Sequence, residues 1–282
     1  MPPDNKKPVI VGFVADLMFN VKIGDVARKL GFAMEWIERA SDVAPGDPDA
    51  PADSPGELLH GQGGALFSKL TTWQPALLIF DLNNEEIPWR HWIASLKSSP
   101  ATRRIPIVAF GSHVETETLK DARKAGADTV VARSRFSSAL PELLTENARA
   151  TDEAAVADTC AQPLAELALE GIEMFNEGHF YKCHDFLEEA WVNDESAGRD
   201  LYRGILQVGI AYYQIERGNY RGALKMLLRV RQWLDPLPAV CRGVNVARLR
   251  EDVDNVHQAL QSLGPEDMDE IDRGLFRQIE LV

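Results

Sequence analysis

The sequence predicts two architectures in one chain: an α/β unit built on a parallel sheet, then an all-helical unit. Three observations carry that prediction. In the first half, short apolar runs alternate with amphipathic helical patterns, the signature of a parallel sheet covered by helices on both faces. From Leu164 onward the strand signals stop, and Leu164, Leu167, Ala168, Gly171 and Phe175 trace one helical face. At 282 residues the chain is long enough for two domains that each bury a core.

Taken in order, strands are expected near 8–15, 33–38, 75–81, 105–110 and 128–132, with helices at 21–30, 64–73, 88–96, 115–125 and 137–148. The first apolar run, VIVGFVADLMF, is interrupted by Asp16 and reads as a buried strand, not a leader. No stretch approaches the roughly 18 apolar residues that a bilayer span needs. Residues 42–60 are rich in Pro, Asp, Gly and Ala, so an inserted, mobile loop is expected after the second strand. Residues 149–162 lack a strong apolar period and end before Pro163, a residue suited to the first turn of a helix. They are the expected linker, which makes residues 1–148 the α/β unit and 163–282 the helical one.

In the second half, Gly178 is placed to end one helix, and Gly218 followed by Asn219 to end another and cap the next. Residues 201–215 are apolar nearly all round, so they should form the central helix. A weak internal repeat at a 40-residue offset pairs Gly178 with Gly218, Phe180 with Tyr220, Cys183 with Ala223 and Leu187 with Leu227. It is similar to tetratricopeptide-like hairpins, although two units are too few for a solenoid. Residues 246–263 read as an amphipathic helix, and Met268, Ile271 and Leu275 as apolar anchors in the acidic segment that follows.

The net charge of −13 is unevenly shared: residues 1–150 hold 17 basic and 19 acidic side chains, residues 151–282 hold 13 and 24. Such a balance argues against non-specific nucleic-acid binding and against an anionic membrane surface, both of which need clustered cations. Cys160, Cys183 and Cys241 are widely spaced and odd in number, so neither a disulfide framework nor a structural zinc site is expected, and a reducing cytoplasm fits. His60, His91, His113 and His257 fall in loop or solvent-facing contexts and are assigned no chemistry.

Several motifs in the first half resemble the receiver domain of two-component response regulators, a flavodoxin-like fold. PALLIFDLNN places Asp81 at the end of the third strand, where that family has its phosphoacceptor, and IPIVAFGSH followed by KAGADTVVARSRF resembles its later elements. Phosphoryl chemistry there needs acids for Mg²⁺, a hydroxyl for the phosphoryl group and a lysine for its charge. This chain departs at each point. Ala15 and Asp16 stand where receivers carry an acidic pair, Gly111 beside Ser112 where they have Ser or Thr, and Arg133 then Ser134 where they have Lys-Pro. Arginine keeps the charge with a different shape. The resemblance therefore implies a pseudo-receiver with a vestigial site at Asp81, Asp16, Ser112 and Arg133, at most a weak Mg²⁺ at Asp16 and Asp81, and otherwise no cofactor.

Within GIEMFNEGHFYKCHDFLEEAW, residues 171–191, Phe180, His184, Leu187 and Trp191 recur at helical spacing, which points His184 toward the core with Glu188 one turn on. The pair is either an internal polar lock or two members of a metal or acid/base site. Arg203, Gln207 and Gln214 form a polar line on the central helix and are the natural partners.

That motif, with YRGILQVGIAYYQIERGNYRGALKML and CRGVNVARLRED, closely resembles the helical domain-of-unknown-function family 309 (DUF309) from about residue 164 to the end. The resemblance implies His184, Glu188, Gln207 and Asn219 as a candidate pocket, with Gln214 where family members often have histidine. Glutamine is a poor transition-metal ligand, which weakens a metal site and favours hydrogen bonding. Together these readings anticipate a regulatory or interaction protein with a protein partner or a second copy of itself, without nucleic acid or membrane. The alternatives are a small metal-dependent hydrolase or ligand-binding domain using His184 and Glu188, and a regulator phosphorylated at Asp81.

Overall fold

The computed structural model describes residues 7–44 and 61–282, so the loop expected at 42–60 lies outside the described residues from 45 on. The chain divides into two compact units, Met1–Ala150 and Thr151–Val282. The first holds strands β1 (Val9–Phe13), β2 (Ala33–Trp36), β3 (Leu77–Asp81), β4 (Ile107–Gly111) and β5 (Thr129–Ala132). They pair in parallel in the order β2-β1-β3-β4-β5, the flavodoxin-like order, whose right-handed crossovers put helices on both faces.

Strand alternation divides the core. Ile10, Leu77, Ile79, Val108 and Phe110 face α1 (Leu17–Lys29), α5 (Arg133–Ser138) and α6 (Leu140–Asn147). Val11, Phe13, Leu78, Phe80 and Ala109 face α2 (Gly61–Trp73), α3 (Trp89–Ser98) and α4 (Thr116–Ala125). Two boundaries differ from expectation for local reasons. Helix α1 starts at Leu17 because the Asp16 carboxylate accepts from the N–H groups of Met18 (3.0 Å) and Phe19 (3.3 Å). The helix expected at 137–148 begins earlier and breaks at Ala139 into α5 and α6.

The second unit consists of α7 (Glu153–Cys160), α8 (Glu166–Asn176), α9 (Cys183–Asn193), α10 (Asp200–Glu216), α11 (Tyr220–Leu234), a short hairpin of β6 (Val240–Cys241) and β7 (Val244–Asn245), and α12 (Val246–Leu263). Helix α10 is the central one, packed against α9, α11 and α8. Gly209 permits the α9 contact, since a side chain there would press on Cys183 Sγ and the Phe180 carbonyl. After α12 the chain turns back as a strap. Phe276 stacks on Tyr212 at 4.3 Å, Ile279 exchanges two hydrogen bonds with the Asn176 side chain, and Leu281 bridges to Val244. Met268 and Ile271 are buried anchors, at the start and just past the end of a short 3-10 turn (Met268–Glu270).

Two expectations are corrected. The segment 149–162 is not plain linker, because α7 occupies most of it within the second unit. Cys160 and Cys241, 81 residues apart, form a disulfide that joins the end of α7 to the hairpin, leaving Cys183 as a buried free thiol. Their wide spacing carried no sign of this, since the return of the chain through the hairpin is what brings the sulfurs together. Among the described residues, no helix is long and apolar enough to cross a membrane.

Candidate functional site

The parallel register brings the carboxyl ends of β1, β3, β4 and β5 level, beside the point where strand order reverses from β1 to β3. Asp81 ends β3 and Arg133 opens α5 directly after β5, so the loops present both toward Asp16. Arg133 Nη2 donates to both oxygens of Asp81, at 2.8 and 2.7 Å, and Nη1 reaches Asp16 Oδ2 at 3.4 Å. Behind it the guanidinium lies over the rings of Phe19 (4.9 Å) and Phe110 (5.6 Å), contacts that a planar cation makes well.

Asp81 is only 3% exposed, and burial pushes its carboxyl above the ordinary range. The Asn83 N–H at 3.0 Å and the Arg133 charge pull against that shift. Ser112 does not reach the carboxylate: its N–H donates to Asn83 Oδ1 and its hydroxyl accepts from the Val114 N–H. Gly111 offers no hydroxyl, and a side chain there would crowd Leu82.

These residues do not fit a Mg²⁺ centre. The ion needs several oxygen ligands around an open octahedron, whereas a fixed guanidinium holds both Asp81 oxygens, Asp16 is partly committed to capping α1, and Ala15 supplies no carboxylate. The arrangement is an internal ion triad in which arginine supplies the positive charge.

The residues singled out in the helical unit do not converge. His184 is half-exposed, its Nδ1 3.3 Å from Asp185 Oδ1 and its Nε2 3.7 Å from Glu188 Oε2, with Asp185 and Glu188 exposed. The buried face of α9 is Cys183, Leu187 and Ala190, so the inward direction expected for His184 is corrected. The phase error has a cause: Phe180 packs from the turn before the helix, and counting helical spacing from it rotates the predicted face.

Arg203 is stacked between Trp191 and Trp233, 4.3 Å from each ring. Gln214 accepts a 2.7 Å bond from Asn219, which also caps α11 by accepting from the Gly222 N–H. Gln207 is buried with its amide oxygen unpartnered. The expected polar line is thus split among three environments. Among the described residues, no three His, Cys, Asp or Glu side chains gather as metal ligands.

Two polar side chains are packed into the helical unit: His257, expected in a loop or solvent-facing context, and Arg242, for which nothing was expected. His257 is half-buried, not solvent-facing, with burial and the Arg231 charge holding its imidazole below the usual range. Arg242 is 8% exposed and is the hub of the unit. Its Nη2 donates to Asp194 (2.7 Å) and Ser196 (2.8 Å), its Nη1 to the Tyr202 hydroxyl (2.9 Å) and the Pro163 carbonyl (3.3 Å), and its N–H to the Cys160 carbonyl. Arg242 and Gly243 form the hairpin loop with φ of +52° and +79°, the positive values that two-residue turns of primed type need. The Arg-Gly pair between Val240 and Val244 was the available signal.

Residues 168–226 match the family model described as a domain of unknown function (DUF309). An uncharacterized protein of Aquifex aeolicus (strain VF5) is 30% identical over 95 residues, which cover 33% of this chain and 28% of that protein, well under a third of the relative's length. Solved structures similar to the first half include a response regulator from Thermotoga maritima, 13% identical with a TM-score of 0.35, covering 50% of this chain and 96% of that one. A signal receiver domain from Bermanella marisrubri is 18% identical with a TM-score of 0.37, covering 50% and 98%.

Proposed function

We propose that the first unit is a pseudo-receiver, a protein-docking or dimerising module whose phosphoacceptor site is closed by its own arginine, and that it serves a regulatory role for the helical unit. One observation carries the reading: Arg133 Nη2 spans both oxygens of the buried Asp81 carboxylate while Nη1 reaches Asp16. An incoming phosphoryl group needs one of those oxygens as nucleophile and Mg²⁺ needs the other, so the guanidinium competes with both. The module then sits in one state irrespective of phosphodonors, and its surface is what partners read.

A cytoplasmic setting is part of this proposal, supported by the acidic composition and the resemblance to signalling receivers. We assign no reaction to the helical unit: His184 lies between the exposed carboxylates of Asp185 and Glu188, and among the described residues no three His, Cys, Asp or Glu side chains gather as metal ligands.

The test is direct. The full chain incubated with Mg²⁺ and acetyl phosphate should show no mass gain of one phosphoryl group, and calorimetric titration with Mg²⁺ should give no saturable heat at millimolar concentration. Arg133→Lys, which shortens the reach and frees an Asp81 oxygen, should bind Mg²⁺ at least about tenfold more tightly than the wild type. A hydroxylamine-sensitive adduct on Asp81 of the unmodified chain would sink the reading.

A further inference from the structure

We propose that the Cys160–Cys241 disulfide is a redox-operated clip that holds α7 on the helical unit when closed and, when opened by a dithiol, releases it and lengthens the free chain between the two units. Few buried side chains hold α7 apart from the disulfide. Of its eight residues only Val156 and Cys160 are buried. Thr159 lies against Gly198, where a side chain would strike its hydroxyl, and that hydroxyl is already bonded to the Ala155 and Val156 carbonyls.

Beyond the disulfide, the Arg242 N–H to the Cys160 carbonyl is a backbone tie at the end of the helix. Eight residues are too few for a helix to persist alone, so α7 depends on its docking contacts: Val156, the packing of Thr159 on the turn Ala197–Arg199, the Arg242 hydrogen bond and the disulfide. Of these the covalent bond is the strongest, and it is the one that a dithiol removes.

The neighbouring anchors set the limits of what is released. Upstream, Arg149 is tied to the first unit through its N–H to the Ala76 carbonyl at 2.9 Å. Downstream, the Pro163 carbonyl accepts from Arg242 and the Ala165 N–H donates to the Tyr202 hydroxyl. With the clip closed, the free connection is residues 150–152; with it open, residues 150–162. Fully extended, these reach roughly 10 Å and roughly 45 Å. A fourfold change in reach alters the effective concentration of one unit at the other.

The chemistry balances with a thioredoxin-type or small-molecule dithiol as reductant. Its thiolate attacks one sulfur of the pair, breaking the Cys160–Cys241 bond and forming a mixed disulfide, and its second thiol then displaces the remaining cysteine. Two electrons and two protons pass to the cysteines, and the reductant leaves as its own disulfide. Cys160 is 6% exposed and Cys241 0%, so attack waits on fraying of the last turn of α7 and reduction is gated by that local opening. Cys183, the third cysteine, is buried with its thiol pushed up to about 12, so it does not compete in exchange.

The test compares air-oxidised full-length protein with the same protein reduced by dithiothreitol without denaturant. Alkylation after unfolding should modify one cysteine in the first sample and three in the second. Hydrogen exchange across residues 153–160 should quicken at least about tenfold on reduction, and proteolysis should appear within 150–162, while α10 stays folded and exchanges more slowly than α7. Cys160→Ser should reproduce the reduced pattern; should that variant not fold, chemical reduction of the wild type decides alone. Three outcomes overturn the proposal: no disulfide in the oxidised protein, unchanged protection of α7 after reduction, or reduction only together with unfolding of α10.

Discussion

Arg133 keeps about a third of its side chain in water, whereas the Asp81 carboxylate that it grips is almost wholly buried. The two partners are therefore unequal when one is deleted. Asp81→Asn leaves a cation that retains water and its place over Phe19, and should cost less than about 1 kcal/mol. Arg133→Ala leaves a buried carboxylate without its counter-charge and should cost roughly 2 to 4 kcal/mol at pH 7.

The sign with pH follows from linkage. Burial already raises the Asp81 pKa above its unfolded value, and removing Arg133 removes an opposing influence, so the folded variant binds the proton more readily than the unfolded one. Its deficit should shrink as pH falls through the raised folded pKa toward the unfolded one. Urea titrations of both variants and wild type between pH 7 and pH 4.5 measure this; a pH-independent deficit in Arg133→Ala, or a larger one in Asp81→Asn, contradicts the triad. Asp81 was legible as a match to the receiver pattern, and Asp16 beside Ala15 and Arg133 as departures from it. That one arginine spans both acids was not, because reach and rotamer belong to the folded loops.

The elements most readable in advance were those bounded by local chemistry. Gly178 and Gly218 take the positive φ that ends a helix, Asn219 caps α11, and α12 occupies the stretch its amphipathic period indicated. What periodicity could not supply was phase, as the face of α9 illustrates, or pairing across long separations, as Cys160 with Cys241 does.

Asn219 allows its two roles to be separated. The cap uses its oxygen toward Gly222, and the Gln214 contact uses its amide nitrogen. Asn219→Asp keeps the first and loses the second, so it should fall within about 0.5 kcal/mol of wild type, while Asn219→Ala should cost roughly 1 kcal/mol. Thermal melts that rank the two variants equal would assign the stabilisation to Gln214 and not to the cap.

At the scale of the whole chain, the change of period at Leu164 announced two units, but nothing local announced how the second closes on itself. Closure comes from its ends. The Arg242 hub gathers Pro163, Asp194, Ser196 and Tyr202, the disulfide ties Cys160 to the hairpin, and the strap from Phe276 to Leu281 returns to Tyr212, Asn176 and Val244. Each of these partners lies within residues 151–282, so that segment carries the interactions needed to fold alone. Expressed by itself it should give a cooperative urea transition, near-UV signals from the buried Trp233 and Tyr212, and a radius of gyration of about 14 Å. Because the disulfide closes a loop of 81 residues' separation, Cys160→Ser in this fragment should lower stability by up to roughly 4 kcal/mol, the loop-entropy value. A fragment that stays expanded and lacks near-UV structure in its oxidised form would show that its core depends on chain outside 151–282, and would overturn its standing as an independent folding unit.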